Sequence, residues 1–333
     1  MTETNDSSRP LSELYAEIRS DLDRVEGRLS EMIRSDNPLV DEINAYLFAA
    51  GGKRLRPALL TLCARMTGNG AGPDAAFWSA VIEIIHAASL VHDDIVDRTD
   101  TRRGRETVHS RWGANITVLL GDHLFIRAIH EALRTRRYEI IDVLSEATER
   151  MIEGELLECA VSGDPLLAED RYLEILDKKT AALFGAACRI GGILGRADPD
   201  LVRRLEEFGR NLGLAFQITD DLLDFTGRPD TLGKPVLTDL REGRITLPVI
   251  YALRKIDGPD RTDFIARIAA REDDPSAVEA IRDAVFASGA ITEAAAAAAA
   301  CTAKAKSFSP TRSRPPGRWP PWPILSADGT FKK

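Results

Sequence analysis

Two stretches decide how this chain is read: HAASLVHDDIVD, from His86 to Asp97, and LAFQITDDLLD, from Leu214 to Asp224. Both end in the pattern D-D-x-x-D, and in both an apolar run leads into the acids. On a helix, residues four apart share a face and the next residue lies beside them. The first stretch therefore gathers Asp93, Asp94 and Asp97, and the second Asp220, Asp221 and Asp224. Carboxylates this close repel and raise one another's pKa unless a cation intervenes. Hard divalent cations such as Mg²⁺ or Mn²⁺ suit oxygen ligands, and Mg²⁺ takes one or two carboxylates plus waters and substrate phosphates. Two such clusters facing each other would hold a diphosphate through a small group of metal ions. A solvated acidic face is the plainer reading of a charge run. By chance, however, only roughly one chain in fifty of this kind carries the pattern twice. The apolar flanks also put the acids on helices that are otherwise buried, where unpaired charge is costly.

Around these stretches the period is helical. Leu11, Leu14, Ile18, Leu22, Val25, Leu29 and Ile33 recur at three- and four-residue steps, until Asn37-Pro38 interrupts them. A second helix runs to Ala50, Gly51-Gly52 breaks it, and Pro57 stands near the start of the next. Residues 79–97, 116–134, 138–161, 169–194, 198–226 and 245–254 also read as helices. No run of alternating strands and no Rossmann or P-loop glycine pattern is present, and no composition break splits the body. The expectation is an all-α fold, with a flexible N-terminus at 1–10, a single domain over 11–306 and an atypical tail over 307–333.

Composition narrows the classes. With 44 basic against 52 acidic residues the net charge is −8, which argues against a nucleic-acid binder. At 44% apolar the chain has material for a sizeable core. Cys63, Cys159, Cys188 and Cys301 lie far apart, with neither a disulfide framework nor a zinc pattern, and imply a reducing, cytoplasmic compartment. MTETNDSSRP lacks the regions of a signal peptide, and no apolar run reaches the ~20 residues needed to span a bilayer. A soluble protein is expected, free to touch a membrane surface.

Cations for phosphate stand at marked positions. GGKRLRP (51–57) sets Lys53 and Arg56 three apart behind a flexible glycine pair. Arg102-Arg103 follow the first acidic motif, and Lys179-Thr180 and Lys234 flank the second helix. Arg grips phosphate as a planar fork and Lys as a point charge. His86 shares the face of the first acids, although spacing alone fits a core histidine equally well. Gln217 sits one turn before Asp220 and Asp221 and can donate to a phosphate.

With these residues the chain resembles the trans-isoprenyl diphosphate synthases of the polyprenyl synthetase family. The matching stretches are GGKRLRP, HAASLVHDDIVDRTDTRRG (86–104), EGELLE (153–158), KKTAALF (178–184), FQITDDLLDF (216–225) and GKPVLTDLREGRITLP (233–248). The resemblance implies an isoprenoid synthase type helical bundle around a deep central cavity, usually as a homodimer. It implies Mg²⁺ ligands at Asp93, Asp94, Asp97, Asp220, Asp221 and Asp224. Isopentenyl diphosphate would be held by Lys53, Arg56, His86 and Arg103. An allylic prenyl diphosphate would be held through the metal and by Arg102, Lys179, Thr180, Gln217 and Lys234. The implied activity is a prenyltransferase that ionises the allylic diphosphate, adds it to isopentenyl diphosphate and loses a proton. Relatives that stop at short products carry bulky aromatics just before the first motif. Here Ala88 and Ser89 are small, which implies a medium or long product, with a lower wall near Ile85, Ile84 and Val81. Short-chain synthesis and a non-catalytic partner subunit are the alternatives. A class I terpene cyclase is disfavoured, because its second metal motif is not a full D-D-x-x-D. Leu237 and Arg244 depart from the family, where many members carry a small residue and a lysine.

The tail departs more. SPTRSRPPGRWPPWPILSADGTFKK has no helical period and is broken by Pro315, Pro316, Pro320, Pro321 and Pro323. The helical pattern stops near Ser307, where relatives close with an amphipathic helix. A frameshift in a GC-rich gene gives this composition, and so does a natural solvated proline-rich tail.

Overall fold

The structure, a computed structural model, describes residues 11–67, 72–227, 237–270 and 275–308. The N-terminal residues 1–10, Lys234 and the tail from 309 lie outside the described residues.

Helix α5 (Pro73–Val96) lies at the centre. Pro73 at its first turn has no N–H to satisfy and a backbone angle already helical. Val81, Ile82, Ile84, Ile85, Ala88 and Val91 are fully buried, so the helix is apolar on nearly every side, as a core helix must be. Around it pack α2 (Arg19–Met32), α4 (Leu55–Met66), α7 (Ala114–Arg134) and α10 (Ala182–Leu194). α5 is the one unbroken helix among the described residues long and apolar enough to cross a membrane, which differs from the sequence expectation. Its burial explains the composition: 67% of its apolar window lies inside the protein.

Two expected helices are divided. The first splits at Ile18 into α1 (Leu11–Glu17) and α2, although its apolar stripe continues through the break. The helix expected over 169–194 becomes α9 (Glu169–Leu176), a π-turn at Asp177–Ala181, and α10. The π-turn is closed by Ala182 N–H donating to Asp177 O, five residues back. α3 (Pro38–Ala49) begins where expected, with Asn37 Oδ1 accepting from Leu39 N at 3.0 Å. α6 (Val108–Trp112) and α8 (Tyr138–Val161) complete the first half.

α11 (Pro199–Thr226) is capped by Asp198, which accepts from Leu201 N at 2.9 Å. It lies against α10 so closely that a Cβ on Gly209 would stand 2.5 Å from Phe184 O. After α11 come the short α12 (Thr238–Arg241), α13 (Leu247–Lys255), α14 (Gly258–Ala270), α15 (Pro275–Ala287) and α16 (Ala290–Phe308). α16 packs on α11 and α13 through small side chains, with Ala290 and Ala294 fully buried. The expected end of the helical period near Ser307 falls at the edge of the described residues. The strands described are two residues each: Thr101–Arg102 pairs antiparallel with Arg105–Glu106. Arg103 and Gly104, with φ of 54° and 73°, form the left-handed turn such a tight hairpin requires.

Candidate active site

Both acidic motifs sit at helix C-termini. Asp97 ends α5, its N–H donating to Asp93 O, and Asp220, Asp221 and Asp224 occupy the last turns of α11. The negative ends of two helix dipoles add to the carboxylates and favour cations between them. A cavity of ≈ 630 Å³ opens there, lined by Asp93, Asp97, Asp220 and Asp221 with Arg102, Arg103, Lys179, Thr180 and Gln217. Among the described residues no three His, Cys, Asp or Glu side chains converge tightly enough to hold a metal ion by themselves.

Two of the six acids turn elsewhere. Asp94 is buried and accepts from Arg102 Nε at 2.7 Å, facing a second, smaller pocket. Asp224 is fully buried; its Oδ2 accepts from Asp239 N at 3.1 Å and its main-chain oxygen from Leu237 N at 3.0 Å. It thereby holds the chain that returns to α12.

The acids of the larger cavity are electrostatically tense. Burial, with Glu155 and Asp97 nearby, pushes the Asp93 carboxyl up to about 7 against the pull of Lys179. Burial and Asp239 push Asp221 up to about 8, although Tyr172 Oη–H and Gln217 Nε2 (3.0 Å) both donate to it. Thr180 Oγ1 in turn donates to Gln217 Oε1 at 3.1 Å. Burial alone would lower the Lys179 ammonium, but Glu158, Glu155 and Asp93 hold it well above the usual range. Lys179 Nζ lies 2.6 Å from Glu155 Oε2 and also contacts Glu158.

The π-turn presents Lys179 and Thr180, and it is held from both sides. Asp177 takes Arg150 Nη2 at 2.5 Å from α8 and Arg210 Nη2 at 2.6 Å from α11. Gly154 of α8 lets the turn approach: a Cβ there would lie 2.5 Å from Lys179 N.

The second pocket shares Leu90, Arg102 and Arg103 with the first and adds His86, Arg54 and Glu83. Burial drives His86 well below its ordinary pKa, and Arg56, Arg103, Arg102 and Arg54 push the same way. The ring is thus neutral among four guanidinium groups, an environment that attracts an anion. Arg56 lies with its guanidinium 4.6 Å from the Phe184 ring centre, and burial lowers its pKa to about 10 despite Glu83. Lys53 Nζ is 6.0 Å from the Phe216 ring centre. Of the sites read as setting product length, Ala88 is fully buried and Ser89 Oγ donates to His86 O at 2.9 Å. Neither lines these two cavities.

The sequence model of the family described as Polyprenyl synthetase matches residues 37–285. The chain belongs to the polyprenyl synthetase family. It is accordingly an enzyme, a prenyltransferase, with the isoprenoid synthase helical fold. The octaprenyl diphosphate synthase of Escherichia coli K12 is 35% identical over 281 residues, covering 84% of this chain and 85% of that one. The geranylgeranyl diphosphate synthase of Saccharolobus solfataricus is 35% identical over 287 residues, covering 83% and 85%. Among solved structures, a polyprenyl synthase from Caulobacter crescentus CB15 complexed with calcium and isoprenyl diphosphate superposes with a TM-score of 0.88 at 35% identity, covering 94% of each chain.

Sequence reading of this family member missed Arg244, Asp239, Tyr172, Glu155 and Glu158 as cavity or near-cavity residues. EGELLE held a signal for the last two, since Glu155 and Glu158 stand one turn apart on α8. Tyr172 had none beyond lying in an apolar stripe.

Proposed function

We propose that the protein condenses isopentenyl diphosphate with an allylic prenyl diphosphate and releases a medium or long all-trans polyprenyl diphosphate. The observation that carries this reading is the single cavity between two helix C-termini, with Asp93 and Asp97 on one side and Asp220 and Asp221 on the other. Its donor set fits Mg²⁺ or Mn²⁺ bound jointly with a diphosphate. Carboxylates face it from both helices, and phosphate oxygens would complete the shell of such an ion. Asp93, Asp97, Asp220 and Asp221 would hold the ions, whose charge stabilises the departing diphosphate.

The chain's own residues do the rest. Lys179 and Arg102 meet the negative charge that grows on the leaving group. Thr180 and Gln217 orient it by hydrogen bonds. Lys53, Arg56, His86 and Arg103 hold isopentenyl diphosphate, and neutral His86 donates a hydrogen bond without adding charge. Of these, His86 and Arg103 line the second pocket while Lys53 and Arg56 stand outside both, and the wall shared by the two pockets would bring the two substrates together. No nucleophilic side chain is required; the released diphosphate takes the proton.

A short product is the second reading. It is favoured by the Saccharolobus relative's similar identity and by Ala88 and Ser89 standing off the two cavities. Two copies are proposed to pair through α7, where Leu119, Ile126 and Leu133 stay exposed seven residues apart. Cytoplasmic residence is supported by free thiols at all four cysteines. The test is incubation with isopentenyl and farnesyl diphosphates, with Mg²⁺, with Mn²⁺ and with chelator, and chromatography of the products. A product longer than farnesyl by several isoprene units, absent with chelator, is expected. No product under any condition refutes the activity, and one stopping at the next unit or two supports the short-chain reading.

A further inference from the structure

Glu83 is an anomaly on the central helix. It lies between Ile82 and Ile84, both fully buried, and is itself only 6% exposed. A carboxylate placed there is costly unless paired. Its Oε1 accepts from Arg54 Nη1 at 2.8 Å. The other edge of that guanidinium grips Glu26 of α2, Nε to Oε1 at 2.6 Å and Nη2 to Oε2 at 3.2 Å. The fork of Arg54 is spent on two protein carboxylates.

The backbone of Arg54 is equally unusual. It caps α4 in the left-handed region, with φ 48° and ψ 37°, three residues after Gly51 at φ 62°. A side-chain-bearing residue stays in that region only when its surroundings fix it. The fixing groups come from four elements. Tyr15 Oη–H of α1 donates to Lys53 O, Arg103 of the hairpin donates to Gly51 O, and Glu26 and Glu83 hold the side chain. Gly52 lets the loop lie against both guanidinium groups: a Cβ there would be 3.0 Å from Arg54 Nη1 and 3.2 Å from Arg103 Nη1. Lys53 and Arg56 bracket the clamped residue, so their directions follow from where Arg54 is held.

We propose that Glu83, through Arg54, is a positioning residue for the Gly51–Arg56 loop and thereby sets affinity for isopentenyl diphosphate. The inference rests on the assignment of that substrate to Lys53, Arg56, His86 and Arg103. Glu83 acts on those cations in two opposed ways. As a charge it partly neutralises Arg54, Arg56 and Arg103, so its removal strengthens the field on an anion. As a clamp it holds the loop, so its removal weakens binding. The sign separates the two.

Glu83→Gln keeps the shape and removes the charge. Calorimetric titration of the full chain with isopentenyl diphosphate should give a Kd raised about tenfold or more, because loss of a positioned contact geometry is worth that much. Farnesyl diphosphate affinity and kcat should stay within about twofold while the KM for isopentenyl diphosphate rises. An unchanged or tighter Kd, or equal losses for both substrates, overturns the proposal. Glu26→Gln, at the exposed end of the clamp, cannot empty the core and should raise the same Kd about two- to threefold. It stands in if Glu83→Gln does not fold, and no rise there overturns the proposal too. If isopentenyl diphosphate fails to bind the unaltered protein, the substrate assignment and with it the affinity claim are overturned. The clamp itself is then read by hydrogen exchange at Ala58 N–H, which bonds Arg54 O at 2.9 Å: faster exchange in Glu83→Gln supports it, and unchanged exchange refutes it.

Discussion

Arg244 Nη1 lies 3.0 Å from Asp97 Oδ1, and Nη2 of the same guanidinium lies 2.7 Å from Asp239 Oδ1. One cation therefore ties the end of the central helix to the segment after the second acidic motif, and Glu242 joins the pair. All four side chains are less than a quarter exposed, so the attraction is little screened. Arg244→Ala leaves three partly buried acids facing one another and should cost about 3 kcal/mol in denaturant unfolding. Arg244→Lys, a point charge without the fork, should recover only part of that.

The acidic motifs should divide by function. Asp93→Asn or Asp220→Asn should reduce turnover at least ~100-fold with little change in Tm, because each removes a charge aimed into the cavity. Asp224→Ala should instead lower stability by about 1–3 kcal/mol, since it leaves the buried Asp239 N–H without its acceptor. Parallel rate measurements and thermal melts on the three variants check this; an Asp93→Asn enzyme with near-normal rate would sink the metal assignment.

Stability should fall as pH rises. Burial lifts Asp93 to about 7 and Asp221 to about 8, from an ordinary 3.8. The folded chain holds both protons where the unfolded chain has released them. Their contribution is therefore complete below the unfolded pKa and lost as pH passes through about 7 and 8. The metal-free protein should melt lower at pH 8 than at pH 5, and Asp221→Asn should flatten the slope. Mg²⁺ with diphosphate should raise Tm more at pH 8 than at pH 5.

Gly154→Ala should displace the π-turn. The new methyl meets the Lys179 backbone at 2.5 Å, and backbone cannot swing away as a side chain can. Overpacking of this kind costs about 1–3 kcal/mol. A larger loss in allylic than in isopentenyl diphosphate affinity is the expected signature, read by titration with each.

Ala88→Phe should shorten the product. Ala88 is fully buried on α5 and lines neither cavity, so a phenyl ring there shortens the product only by closing a channel that continues past this position. A destabilisation of about 1–3 kcal/mol is expected alongside the shift in chain length. An unchanged product distribution in a folded variant would falsify the role given to this position.

Much of the site was legible because helical periodicity places residues without knowledge of the fold. Asp93 and Asp97 are four apart and do share the cavity. Asp94, about 100° round the helix, does not, although Asp221, placed the same way beside Asp220, does; Asp94 is held toward the second pocket by Arg102, which the spacing alone does not reveal. Asp224 was not legible. It shares a face with Asp220, yet the chain returning at Leu237 and Asp239 covers it, and local pattern carries no trace of that return. The π-turn was hidden for a similar reason. Tyr172, Ile175, Leu176, Lys179 and Thr180 keep a regular helical stripe along the cavity. What opens the turn is Asp177, held by Arg150 and Arg210 from 27 and 33 positions away. Glu83 was passed over because one acid in an apolar helix looks like noise until its partner at Arg54 is seen.

Leu90, Arg102 and Arg103 belong to both pockets. A partition owned by two chambers makes them a coupled pair: a ligand that draws Arg102 or Arg103 toward itself withdraws it from the other side. Thermodynamic reciprocity then fixes the bookkeeping, since whatever factor the first ligand imposes on the second must be returned in equal measure. The order in which two ligands arrive alters the path but not that factor.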